Sequence, residues 1–376
     1  MPALLSNIDP DGLLEYSVVF TDRSLNHMSA QFQGVMNDIS ATLKKVYHAP
    51  AVALIPGGGT YAMEAVARQL AQNAPCLVIR NGFFSFRWSQ ILEMGNITSN
   101  VTVLKARQAM AGTQEAFAPA PLDEVLAKIA EVKPAVVFAP HVETASGMIL
   151  PDAYIKAVAD AVHAVGGLFV LDCIASGSIW VDMQATGVDV LISAPQKGWS
   201  GSPCCGVVMM NDAALAKVNA TTSNSFAVDL KKWLQIMQAY ENGGHAYHAT
   251  LPTDSIKYFR DMMKLAEEVG FETLRENQWA LGEKVRALLK ARGFKSVAAE
   301  GFEAPGVVVC YTTDDMIQNG KKFVEQGLQI AAGVPLQCDE PADYKTFRLG
   351  LFGIDKLKDV DGAVARLEKA LNQLAL

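Results

Sequence analysis

No stretch of this sequence stays apolar for long. Every hydrophobic run is broken by Asp, His, Lys or Gly well short of the ~20 residues that a membrane-spanning helix needs. The opening MPALLSNIDPDGLLE carries acids and no basic stretch, so no secretory leader is expected and a cytoplasmic location is. Cysteine is scarce, six residues in 376 (Cys76, Cys173, Cys204, Cys205, Cys310, Cys338). They form no disulfide framework and show no zinc-site spacing with histidine, so reduced, mostly buried thiols and no metal are expected. Basic residues form no stripe, and the formal charge is -7. That balance argues against nucleic acid or an anionic membrane as partner and leaves small metabolites. Repeats, low-complexity tracts and flexible linkers are also missing, so any domains should pack closely.

What the chain does have is apolar content, 50% of its residues, in an ordered alternation. Short strand-like runs (AVALI, CLVI, VTVL, AVVFAP, GLFVLD, VLIS, CGVVMM) alternate with stretches of helical period such as Thr60 to Leu70 and Tyr154 to Ala164. This is the pattern of βαβ units wound on both faces of a mostly parallel sheet, an α/β fold. From Phe226 the texture changes to long helices, roughly Val228 to Tyr240, Thr253 to Val269 and Asn277 to Ala291. A smaller C-terminal α+β domain then follows, with GVVVCY, a helix from Asp314 to Gln326, a strand around TFRLGLF and a closing helix from Lys356.

Two polar residues stand where apolar runs end. GGLFVL leads to Asp172, and VDVLISAP leads to Gln196-Lys197-Gly198. An acid and an amine at neighbouring strand ends can grip two ends of an electron-poor ring, but each is equally an ordinary strand end, with the acid starting a turn and the lysine capping a loop. Pro56-Gly57-Gly58-Gly59-Thr60 lies between the strand AVALI and a helix, where backbone N–H groups can cradle a phosphate. It is neither GxGxxG nor a P-loop, so no dinucleotide or nucleoside triphosphate is indicated. A tight turn that binds nothing is the alternative.

PGGGTYAMEA, NGFF, HVETASG, LDCIASG, SAPQKG, AYHAT and FRLGLFG occur in this order. In that series, over about residues 40 to 376, the chain resembles the class V aminotransferases that depend on pyridoxal phosphate, in their alanine-glyoxylate and serine-pyruvate branch. The resemblance implies the type I fold of these enzymes, like aspartate aminotransferase. It implies an N-terminal arm over 1–30 near the substrate entrance, a large cofactor-binding domain over 31–255, and a small domain over 256–376 that carries a carboxylate-binding arginine. It makes Lys197 the lysine that bonds the cofactor and Asp172 the partner of its ring nitrogen. Gly58, Gly59 and Thr60 become the phosphate loop, joined by Gln196. Phe84 becomes the aromatic stacked on the ring, Ile174 the support of its other face, and Thr144 a hydroxyl near its phenolic oxygen. Tyr247 and Thr250 match a segment that crosses to the partner of a homodimer and reaches the phosphate there. On the residues alone they belong equally to a loop within one chain, with a buried Tyr. Arg348 matches the arginine that grips the substrate carboxylate through a planar fork.

Some features depart from the family pattern. IDPDGLLEYSVVFTDRSLNHMS replaces the usual PGP-containing start, so a rebuilt pocket entrance is expected, and Glu15, Tyr16 and Ser17 either meet the substrate or belong to a reshaped arm. Ser85 stands where glycine is common. Cys338, ten residues before Arg348, invites comparison with the catalytic thiol of cysteine desulfurases, but Asp339 and Glu340 beside it would raise its pKa. Cys204-Cys205 and the tryptophans Trp88, Trp199 and Trp233 suit packing. His141 and Glu143 are read as a structural hydrogen-bonded pair. The expected activity is transamination of a small, alanine- or serine-like donor with glyoxylate or pyruvate. The alternatives are a lyase or desulfurase, an aminophosphonate donor, and a protein that binds the cofactor without turnover.

Overall fold

The computed structural model describes residues 24–374 together with Asp9, Leu13, Tyr16 and Val18. Glu15 and Ser17 therefore lie outside the described residues, and Tyr16 is exposed. Seven strands form the main sheet, in the order Ala51–Pro56, Cys205–Met210, Val190–Ser193, Leu168–Asp172, Val136–Pro140, Cys76–Arg80, Val101–Lys105. Only Cys205–Met210 runs against the rest. The inner strands are buried along their whole length except at Leu168, which is why they read as unbroken apolar runs rather than alternating ones.

Helices cover both faces. Ala30–Tyr47 starts at Ser29, whose hydroxyl accepts from the Phe32 amide at 3.1 Å, and buries Phe32, Val35, Met36, Ile39 and Leu43, a single stripe at helical spacing. Trp88, from the Phe83–Met94 helix, stacks on Phe138 of the sheet with ring centroids 4.3 Å apart. Trp199 packs among Tyr47, Trp180, Phe259 and Phe271. Trp88, Trp199 and Trp233 are all buried, and all six cysteines are free and buried.

The second sheet is antiparallel, with Thr346–Gly350 between Val307–Tyr311 and Ala331–Ala332. The long helix Phe271–Ala291 supplies Leu274, Leu281, Val285 and Leu289 to its core. Thr253–Val269 serves two cores, Phe259 and Met263 packing with the main sheet and Ala266 with the small one. The helix expected over Asp314 to Gln326 is instead two short ones, Asp315–Gln318 and Lys321–Glu325, because the chain turns left-handed at Gly320, φ 81°. Phe271–Ala291 starts six residues earlier than expected, directly after Gly270. No helix among the described residues is long and apolar enough to cross a membrane.

One close approach ties sheet to site. Gly206 of Cys205–Met210 faces the start of the Gly59–Leu70 helix so closely that a Cβ there would lie 2.4 Å from Ala62 Cβ and 2.8 Å from the Gly58 carbonyl oxygen. Gly206→Ala should therefore lower stability by about 1–3 kcal/mol in urea unfolding. It should also weaken whatever binds at Gly58–Thr60, whereas wild-type stability and binding would show that the helix has room to shift.

Candidate active site

Register brings the polar residues together. Asp172 is paired with Pro140 on one side and with Ile192 on the other, so three parallel strands end level with one another. Just beyond that edge follow Val142 and Thr144, then Ile174, then Gln196 and Lys197. They line a cavity of about 210 Å³ with Gly59, Thr60, Met63, Phe84, Arg87, Asp172 and Ala175. Eight of the twelve site residues expected from the sequence thus share one cavity, and Gly58 is the N-cap of the helix whose first residues are Gly59 and Thr60.

The lysine turn is held from two sides. The Ser200 amide donates to the Lys197 carbonyl at 3.1 Å, and the Ser200 hydroxyl accepts from the Ile354 amide at 2.9 Å. Gly198 lies against the backbone of Gly177, where a Cβ would come within 2.0 Å of the Gly177 carbonyl oxygen. Burial pushes the Lys197 amine below its ordinary pKa, and Arg348 and Arg87 push it further. Its Nζ sits 5.3 Å from the centroid of the Phe352 ring. Asp172 moves the other way. Burial raises it to about 7, with the Glu143 charge adding to the rise, while the Ile174 amide at 2.9 Å and the Arg87 charge oppose it. No lysine or arginine among the described residues pairs with this carboxylate.

His141 and Glu143 do not bond each other, contrary to the sequence reading. His141 Nδ1 meets the Ser176 hydroxyl at 2.7 Å, and burial drives its pKa down to about 3, so it is neutral. Glu143 turns instead to the Phe83–Met94 helix. It accepts from the Phe84 amide at 3.2 Å, the Ser85 amide at 2.8 Å, the Ser85 hydroxyl at 2.7 Å and the Ala145 amide at 3.0 Å. A fully buried carboxylate thus satisfies the exposed donors of a helix start and fixes the backbone that carries Phe84. Burial raises its pKa, and these bonds oppose the rise. Ser85, read as a departure from the family, gives Glu143 two of these four bonds.

Arg348 makes no salt bridge among the described residues. Its Nε donates to the Ala332 carbonyl at 2.8 Å, and its guanidinium carbon lies 5.5 Å from the Phe84 ring centroid, so it hangs over one edge of the cavity. Tyr247 and Thr250 lie elsewhere, beside Leu25, His27 and Trp233, in a separate recess of about 50 Å³. Tyr247 is 59% exposed rather than buried, and its hydroxyl is 3.4 Å from that of Thr250. Cys338 is buried, its Sγ 3.4 Å from the Arg80 carbonyl, and its pKa is pushed up to about 12, by burial first and then by Glu143 and Glu340. Asp339, expected to add to that rise, turns away to bond Lys105.

Sequence reasoning missed Arg87 and Phe352. Arg87 lies three residues after Phe84, one helical turn on, and Phe352 ends the FRLGLF run; helical spacing was the available signal for the first. Pyridoxal phosphate fits the chemistry of this cavity. It finds an amine of lowered pKa, a buried carboxylate in need of a cationic partner, backbone N–H groups at a helix start, and Gln196 Oε1, which is buried without a partner.

Comparison with known proteins agrees with this geometry. The sequence model for the family described as aminotransferase class-V matches residues 13–351. A 2-aminoethylphosphonate–pyruvate transaminase of Vibrio vulnificus (strain CMCP6) is 27% identical over 85% of this chain and 83% of its own. An alanine–glyoxylate aminotransferase of Rattus norvegicus is 27% identical over 97% of this chain and 86% of its own. The crystal structure of an alanine–glyoxylate aminotransferase from Nostoc sp. superposes with a TM-score of 0.77, covering 94% of this chain and 89% of that one at 22% identity, and so shares the type I fold.

The raised Asp172 has a measurable sign. Its folded pKa of about 7 exceeds the ordinary 3.8, so between these values the folded cofactor-free protein binds more protons than the unfolded chain, and its stability falls as pH rises. The loss is on the order of 4 kcal/mol across the interval. Asp172→Asn in the cofactor-free protein should melt above wild type at pH 8 and match it near pH 4. A constant offset between the two at every pH would contradict the assignment.

Proposed function

The chain belongs to the class-V aminotransferase family, and on that premise we propose that it moves an amino group from a small, alanine- or serine-like donor to glyoxylate or pyruvate, using pyridoxal phosphate. The observation that carries the reading is one cavity lined by a half-buried amine and a buried carboxylate, with an arginine beside its Phe84 wall that has no carboxylate partner among the described residues. The Vibrio vulnificus and Rattus norvegicus relatives, each named for a transamination onto a small oxo acid, support it.

In this proposal Gly58, Gly59, Thr60 and Gln196 hold the cofactor's phosphate, Asp172 its ring nitrogen, Thr144 its phenolic side, and Phe84 and Ile174 its two faces. When bound, pyridoxal phosphate supplies an aldehyde that exchanges with the donor's amine and a ring that accepts the charge left as the Cα proton departs. Lys197 Nζ, its pKa lowered by burial and by two arginines, takes that Cα proton. Arg348, in the small domain that begins near residue 256, binds the donor carboxylate through two parallel N–H groups and so fixes the direction of the Cα–H bond. Asp172, raised when it faces no cation, ionises fully against a positive partner and stabilises it. The apolar faces of Phe84 and Ile174 keep water from the proton transfer.

Arg348 is taken up by the donor carboxylate in this reading, and a donor with a neutral side chain asks for no second cation. The same arginine suits a phosphonate, and the name of the Vibrio vulnificus relative favours 2-aminoethylphosphonate as the second donor to try. A homodimer in the cytoplasm is part of the proposal. Tyr247 and Thr250, exposed and outside the cavity of their own chain, are the residues it would offer to its partner's site.

A panel of alanine, serine, glutamate and 2-aminoethylphosphonate, each with pyruvate and with glyoxylate, tests the reading. A small neutral donor should turn over fastest, Lys197→Ala should lose about 10²–10⁴-fold or more in kcat, and Arg348→Lys should act mainly on KM. Normal turnover by Lys197→Ala would end the proposal. Cys338→Ala should leave transamination intact, and no sulfide should appear with cysteine. Sulfide release that disappears in this variant would favour the desulfurase alternative instead.

A further inference from the structure

Arg87 is the feature of the cavity that the proposed reaction does not yet use. It rises from the Phe83–Met94 helix with its guanidinium carbon 4.8 Å from the Phe84 ring centroid, and its Nη1 donates to the Thr60 hydroxyl at 3.2 Å. That is the single hydrogen bond it makes among the described residues, so four of its five N–H groups have no protein acceptor. No carboxylate among the described residues pairs with it. Arg68 and Arg260, by contrast, are neutralised in place, the first by Glu64 and the second by Asp38 and Asp261. Among the described residues, Arg87 is the arginine that lines the cavity beside the glycine cradle.

The donors at that end are otherwise neutral. The backbone N–H groups at the start of Gly59–Leu70, the Thr60 hydroxyl and the Gln196 amide can orient a phosphate, but none brings a full charge. Lys197 is the only other cation lining the cavity, and it stands over Phe352. Arg348 is tied to the Ala332 carbonyl. A phosphate ester arrives with close to two negative charges, and a guanidinium fork beside the cradle matches it in both charge and shape.

We propose that Arg87 is a cofactor-binding residue, the cationic contact for the phosphate of pyridoxal phosphate beside the Gly58–Gly59–Thr60 cradle. This rests on the cofactor reading above and extends it to a residue that the sequence analysis did not single out. It also reserves Arg87 for the cofactor, so that Arg348 remains the sole guanidinium for the substrate.

Equilibrium binding to the cofactor-free full chain tests it, with pyridoxal phosphate and with pyridoxal, which has the same ring and no phosphate. Arg87→Gln should weaken pyridoxal phosphate about 10- to 100-fold and leave pyridoxal within about twofold, with Arg87→Lys in between. Inorganic phosphate should compete with pyridoxal phosphate in the wild type and much less in Arg87→Gln. Equal loss of both ligands would make Arg87 a support of Phe84 and overturn the proposal. Unchanged cofactor affinity with a raised KM for glutamate alone would assign it to the substrate and overturn it equally. Wild-type protein that binds neither ligand would instead refute the cofactor reading itself.

Discussion

Everything in the site depends on three parallel strands ending level. Pro140, Asp172 and Ile192 are neighbours across the ladder, and the residues that follow them enter one cavity because the strands stop together. Side chains alternate along a strand, so a slip of one residue would turn Asp172 to the opposite face and separate it from the lysine turn. The buried apolar runs on either side make such a slip expensive. The core thus holds the register, and the register holds the chemistry.

Burial then sets the charges. The same dry edge that lowers Lys197 raises Asp172, so each group is shifted towards its neutral form. Glu143 lies deeper still, satisfied by four donors rather than by a cation, and its role is mechanical: it fixes the helix start from which Phe84 projects. Among the described residues, the cavity therefore holds an acid without a cationic partner and a guanidinium without a carboxylate partner. A ligand with a basic ring and an acidic tail answers both.

Much of this could be read in the sequence, and the gaps have physical causes. Strand ends and the glycine cluster were legible because two of the apolar runs lead into polar residues and a close strand-to-helix turn of bare backbone needs glycine. Their shared register was not, since no local pattern states which strands lie side by side. His141 and Glu143 look paired on paper because they are close in sequence. In space each finds its partner on a different element, Ser176 for one and the Phe83–Met94 helix for the other. Arg87 escaped notice because its meaning lies in a contact with Thr60, 27 residues away. The helix expected from Asp314 onward had the right periodicity, and Gly320 was the overlooked punctuation.

The contact of Gly198 with Gly177 has one more implication. It is made by main chain against main chain, so this hold on the lysine turn needs no particular side chain. The rim of the cavity is built of side chains instead, Phe84 and Arg87 among them. A lineage built on this frame is free to trade one metabolite for another by changing its rim, while the two glycines stay locked in place as a hinge-free anvil.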